Sequence, residues 1–109
     1  MPYNERIDSR ITKVVARWKN MERKKMFGGI CQLLNGNMVC GVYKDYLILR
    51  LGEEAAAKAL EQPHVRVFDI TGRPMKGWVM VEEEGFDTDQ SLKDWLNKAK
   101  SFVNTLPPK

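Results

Sequence analysis

Residues 30–51 read ICQLLNGNMVCGVYKDYLILRL, three apolar runs broken by Asn35-Gly36 and Lys44-Asp45. Asn-Gly is the strongest short hairpin signal, because both central residues of a type I′ turn need positive φ. The stretch is therefore expected to fold as strands Phe27 to Leu34, Asn37 to Tyr43 and Tyr46 to Leu51, with Lys44-Asp45 pairing Tyr43 with Tyr46. Side chains alternate faces along a strand. In unbroken register, one face collects Cys31, Leu33, Met38, Cys40, Val42, Leu47, Leu49 and Leu51, almost wholly apolar and expected to be the core side. The other carries Ile30, Gln32, Leu34, Asn37, Val39, Tyr43, Tyr46, Ile48 and Arg50, which reads as a mixed, partly solvated face.

Working outward, Tyr3, Ile7, Ile11, Val14, Val15 and Trp18 share one side at helical spacing, predicting a first helix over about Asn4 to Lys19. Met21 to Lys25 reads as a charged connection. Beyond the three strands, Gly52 ends the run and Glu53-Glu54 suit a helix N-terminus, so a short second helix is expected to Glu61, before Pro63. Val65 to Ile70 and Gly77 to Val81 are strand-like runs joined by Thr71-Gly72-Arg73-Pro74-Met75-Lys76. An acidic loop, Glu82 to Gly85, follows. Leu92, Trp95, Leu96, Ala99, Phe102, Val103 and Leu106 form a narrow stripe on a third helix, starting near Asp89 with Thr88 or Asp87 as N-cap. The expected order is α-β-β-β-α-β-β-α: an α+β domain with a mainly antiparallel sheet and its helices on one face.

A chain of 109 residues, 43% hydrophobic and 29% charged, suits a single domain spanning residues 1–109, and excludes both disorder and two domains. The net charge of +4 is too mild to identify a nucleic-acid binder by itself. Its distribution is uneven. Met1 to Lys25 hold eight basic and three acidic residues, so all the excess positive charge is N-terminal. Charges at Glu5, Arg6, Asp8 and Arg10 stand where a signal peptide needs an apolar stretch, and the charge-free run Met26 to Tyr43 is interrupted by glycines and amides. A cytoplasmic protein without a membrane span is expected, its two cysteines reduced.

The sequence names no catalytic site, and an enzyme is not expected. There is no phosphate-binding Gly-rich loop, and Gly28-Gly29 lacks the spacing of a dinucleotide fingerprint. Cys31, Cys40 and the lone His64 are too few for a zinc site. Ser9, Ser91 and Ser101 lie in helices with no nucleophile elbow, and Glu82, Glu83 and Glu84 read as solvated loop acids. No cofactor, metal or small-molecule substrate is implied.

Three groups of residues survive as candidates. The two-residue Asn35-Gly36 loop sets Cys31 opposite Cys40 at a non-hydrogen-bonded position, where Cα atoms approach to about 4.5 Å; a redox pair is the sharp reading and two buried small residues the preferred one. Arg6, Arg10, Lys13 and Arg17 stack along the first helix and are continued by Arg23, Lys24 and Lys25, a ridge for phosphates or an acidic partner. A solvated rim is preferred there, because no aromatic residues interleave to stack bases. Ile30, Leu34, Val39, Tyr43, Tyr46 and Ile48 would form an exposed apolar patch on the outer sheet face unless a protein partner or second subunit covers it. The loop residues Arg73 and Lys76 are weaker candidates, explained adequately by a turn.

With Met26-Phe27-Gly28-Gly29, Asn35-Gly36-Asn37-Met38, Cys40-Gly41-Val42, Thr71-Gly72-Arg73-Pro74-Met75-Lys76-Gly77 and the closing Trp95 helix in order, the chain resembles the TfoX/Sxy N-terminal domain family over essentially its whole length. The resemblance implies a secretion-chaperone-like α+β fold and kinship with the N-terminal half of cytoplasmic regulators that raise transcription of DNA-uptake genes. It implies no catalytic residues. Those regulators continue into a second domain, so the expectation is a stand-alone regulatory domain that binds a protein partner or itself. A nucleic-acid-associated transcriptional regulator using the basic ridge is the rival.

Overall fold

Asn4 caps the first helix, its side-chain oxygen accepting the backbone N–H groups of Arg6 at 2.9 Å and Ile7 at 3.3 Å. The computed structural model describes residues 3–26, 28–69 and 72–108. It contains α1 (Glu5–Val15), β1 (Met21–Met26), β2 (Gly29–Leu34), β3 (Asn37–Tyr43), β4 (Tyr46–Arg50), α2 (Glu53–Ala59), β5 (Val65–Val67), β6 (Trp78–Val81) and α3 (Asp89–Val103). The strands form one sheet in the order β1-β2-β3-β4-β6-β5, with every neighbouring pair antiparallel. The α+β class holds. The strand ends expected at Phe27 and Ile70, and Thr71 of the connecting loop, lie outside the described residues.

The hairpin turns fall where the sequence places them. Asn35 and Gly36 have φ of 54° and 84°, and Leu34 pairs with Asn37 across them. Lys44 has φ of 52° in the second turn, with Tyr43 opposite Tyr46. Thr88 caps α3, accepting from the Ser91 backbone N–H at 3.1 Å.

Two expectations are corrected. The stretch Met21 to Lys25 is not a connection: it opens β1, which pairs with β2 from Met21↔Leu34 to Met26↔Gly29 and adds a strand to the expected order. An edge strand exposed along much of its length has no apolar alternation to betray it. Its run of charges instead guards an unpaired edge against other strands.

The second correction concerns which way side chains face. Gln32 pairs with Cys40, yet Leu33 pairs with Met38, so Val39 is an extra residue in a β-bulge. The bulge flips β2 and the start of β3 relative to the rest. Ile30, Leu34 and Val39 join Cys40, Val42, Leu47, Leu49 and Leu51 in the core beneath the helices, while Cys31, Leu33 and Met38 lie on the opposite face with Ile48. The face expected for β4 and the end of β3 is correct, and that for β2 is inverted.

The helix-side core takes Ile7, Ile11 and Val15 from α1 and Leu92, Trp95, Leu96, Ala99 and Val103 from α3. The periodic stripes read from the sequence supply its helical layer. Among the described residues, no helix is long and apolar enough to cross a membrane.

Candidate interaction surfaces

The outer face of the sheet carries a second apolar cluster of Cys31, Leu33, Met38, Ile48, Phe68 and Met80, to which no helix contributes. It is closed by the connection between β5 and β6. Phe68, just past β5, turns under the sheet and is 1% exposed, its ring 5.5 Å from that of Trp78. The Met75 backbone N–H donates to the Phe68 carbonyl at 2.9 Å, and that of Gly72 to Asp69 at 2.9 Å, drawing the connection back on itself. Tyr43, Tyr46, Met75 and Trp78 pack around this cluster half-buried. Arg50 lies 5.2 Å from the Trp78 ring and Lys44 5.4 Å from the Tyr43 ring, adding cations to an aromatic rim.

The six residues expected to form one exposed patch are therefore divided. Ile30, Leu34 and Val39 are sealed under the helices; Ile48 is buried in the outer cluster; Tyr43 and Tyr46 alone remain half-exposed. Met75 and Trp78 complete the rim. Sequence reasoning missed them because the loop and β6 precede no visible partner in the chain, and only the pairing of β6 with β4 sets Trp78 opposite Arg50.

The basic ridge is likewise broken up. Arg6 pairs with Glu83 at 2.8 Å. Arg10 donates to the Phe86 carbonyl at 2.8 Å, lies 3.7 Å from the Asp89 carboxylate and sits over the Phe86 ring. Arg23 reaches the buried carboxylate of Asp8, and Lys24 lies 3.7 Å from Glu22. Because β1 is a strand, Arg23 and Lys25 follow Gln32 and Ile30 toward the helix side while Lys24 follows Cys31 toward the other. The strand residues therefore do not continue the row on α1. Lys13 and Arg17 remain exposed, beside a groove also lined by Val14, Leu92 and Lys93. Arg73 and Lys76 are exposed in the loop that carries Met75.

The acidic loop is a junction of several elements. Glu82 accepts from Arg66 at 2.8 Å, which holds its carboxyl below the usual carboxylate range, and the Gly85 carbonyl accepts the Trp95 indole N–H at 2.9 Å. With Glu83 on Arg6 and the Phe86 carbonyl on Arg10, this loop ties α1, β5 and α3 together. Two of the three acids expected to be merely solvated are thus engaged. His64, Glu82 and Glu84 also bring three ligand-type atoms within 4.8 Å of one another, a grouping invisible until β5 and β6 pair; Arg66 already occupies one oxygen of Glu82.

Cys31 faces Gly41, not Cys40, and the two thiols lie in clusters on opposite sides of the sheet. The expected cross-strand pairing fails because of the Val39 bulge. Both cysteines are free and buried. Burial pushes the Cys31 thiol up to about 11 and that of Cys40 higher still, so neither is an activated nucleophile.

A six-stranded antiparallel sheet with three helices on one face, an aromatic rim on the other and a basic cleft between two helices defines an α+β domain built around surfaces. The family model of the TfoX N-terminal domain matches residues 13–103, nearly the whole length, and the chain belongs to that family. No curated protein is found to match it.

Proposed function

We propose that the chain is a non-catalytic regulatory domain of the cytoplasm, related to the N-terminal half of competence regulators. It acts by docking a protein partner, or a second copy of itself, on its outer sheet face. One observation carries this reading: Tyr43, Tyr46, Met75 and Trp78 stand half-buried around a closed apolar cluster to which, among the described residues, no helix contributes. Aromatic residues and Met are the types enriched in interface cores, and a ring already half desolvated has little water left to lose on binding. Membership of the TfoX N-terminal domain family supports a regulatory role. The nucleic-acid reading has less support, since Arg6, Arg10, Arg23 and Lys24 of its ridge all have partners within the domain.

The test is sedimentation of wild type, Tyr46→Glu and Trp78→Glu at micromolar concentration, joined to affinity capture from nuclease-treated lysate. Association, or a captured protein, that is lost in both variants while circular dichroism stays native supports the reading. A monomeric wild type whose captured proteins are the same in the variants removes it.

A further inference from the structure

α1 and α3 lie side by side and run in the same direction, as their contacts show. Arg10 meets Asp89 at the start of α3, whereas Trp18, beyond the end of α1, has the Lys100 amino group 4.8 Å from its ring. Between them runs a groove with Val14 and the buried Leu92 beneath it, Lys13 and Arg17 along one side and Lys93 along the other. Lys100 lies two helical turns past Lys93 and extends that side. Among the described residues, none of these four cations has a carboxylate within ion-pair distance, in contrast to Arg6, Arg10, Arg23 and Arg66. Among the described residues Asp89, at the mouth, is the one acid lining the groove, and Arg10 faces it.

We infer that this groove receives an acidic amphipathic helix of a partner protein. The charge of the walls calls for an anion, and the floor selects which kind. A phosphate backbone needs cations only and gains nothing from the half-buried Val14 between them. Base stacking needs open aromatic faces, yet Lys100 already lies over the Trp18 ring. A helix carrying Leu-type side chains on one face satisfies both parts: its apolar side covers the remaining exposed part of Val14 and its flanking carboxylates meet the walls. The spacing agrees, since Lys93 and Lys100 are separated by about 10 Å along α3, the distance between carboxylates at i and i+7 of a docked helix. This surface is distinct from the aromatic rim, and its occupancy does not depend on what covers that rim.

The probe is a labelled synthetic helical peptide with Leu on one face and Glu on both flanks. Its controls are a scrambled peptide of the same composition, poly-glutamate and a DNA duplex, all followed by fluorescence anisotropy over a range of salt. The ordered peptide should bind, more weakly as salt rises, and should lose roughly tenfold or more with Lys13→Glu, Arg17→Glu, Lys93→Glu and Lys100→Glu combined. A peptide with Lys in place of Glu should bind that charge-reversed protein, which a misfolded variant would not do. The milder pair Lys93→Gln and Lys100→Gln should give an intermediate loss, and sedimentation of both variants should match wild type. Absence of binding to the ordered peptide overturns the inference, as does equal binding of the scrambled peptide, poly-glutamate or duplex.

Discussion

On one face of the sheet Leu47 and Leu49 of β4 meet α3, Val79 and Val81 of β6 meet α2, and all four are sealed; one residue along, Ile48 and Met80 on the other face cluster with Phe68, Met75 and the neighbouring strands. Three helices seal the sheet on one side, whereas on the other a single connection covers the middle and leaves its aromatic border half in water. The two faces show that low exposure at the centre of a cluster does not mean the surface is complete. Interaction capacity in this domain sits where a loop has done the work of a helix.

The largest expected contrast is in stability. Leu96→Ala, deep between α3 and the sheet, should cost about 3–5 kcal/mol by urea unfolding, because the rigid helical layer cannot collapse into the space. Met80→Ala on the outer face should cost about 2 kcal/mol, the low end for such a truncation, since Met80 is 8% exposed and lies near the border of its cluster. Equal losses would mean that both faces are packed alike, and the reading of the outer face as a docking surface would lose its physical basis.

The cysteines sharpen the same comparison, one on each face. Strong oxidant should produce no intramolecular Cys31–Cys40 crosslink by mass spectrometry, and an efficient crosslink would contradict the bulged register. At pH 8 Cys31 should alkylate about a hundredfold more slowly than an unhindered thiol, the thiolate deficit that a pKa of about 11 in place of 9.0 produces. Both thiols have raised folded values, so their contribution is fully present below about pH 9 and declines as pH rises through it, the unfolded chain ionising first. Urea midpoints measured from pH 8 to 10 should fall, and replacing both cysteines by Ala should flatten that slope.

The smallest effect belongs to the ion pairs of the acidic loop beside β5. Glu82, with its carboxyl lowered by Arg66, contributes stability above the unfolded carboxylate range that disappears as pH falls through its folded value. The pair is exposed, so Arg66→Gln should move the Glu82 carboxyl upward in an NMR titration while changing the neutral-pH unfolding midpoint very little. A large midpoint loss would show that the acidic loop is a main support of the fold.

Much of this architecture is legible in the chain because its signals are local. Asn35-Gly36 and Lys44-Asp45 place turns through their own dihedral preferences, and Leu92, Trp95, Leu96, Ala99 and Val103 declare a buried helix face by spacing alone. β1 is not legible: Glu22, Arg23, Lys24 and Lys25 carry no alternation, and what makes them a strand is the free edge of β2 beside them. The candidate surfaces were half legible. Tyr43 and Tyr46 lie on a strand end whose face is correctly read, while Met75 and Trp78 join them through contacts distant in sequence. Lys93 and Lys100 carry a flanking stripe on α3, yet nothing local says that α1 lies beside it.

The helix stripes, the two tight turns, the alternation of β4 and the resemblance that the family match bears out are all properties of neighbours along the chain, and are readable there. The direction in which β2 faces is not, because long-range packing sets it. One extra residue at Val39 inverts an entire strand relative to the next, and either inversion offers an apolar set, Cys31 with Leu33 or Ile30 with Leu34. Both faces of β2 are apolar enough to be buried, so local pattern could not choose between them. The packing of α1 and α3 over Ile30, Leu34 and Val39 made the choice, and with it separated the cysteines and set the boundary of the surface left for a partner.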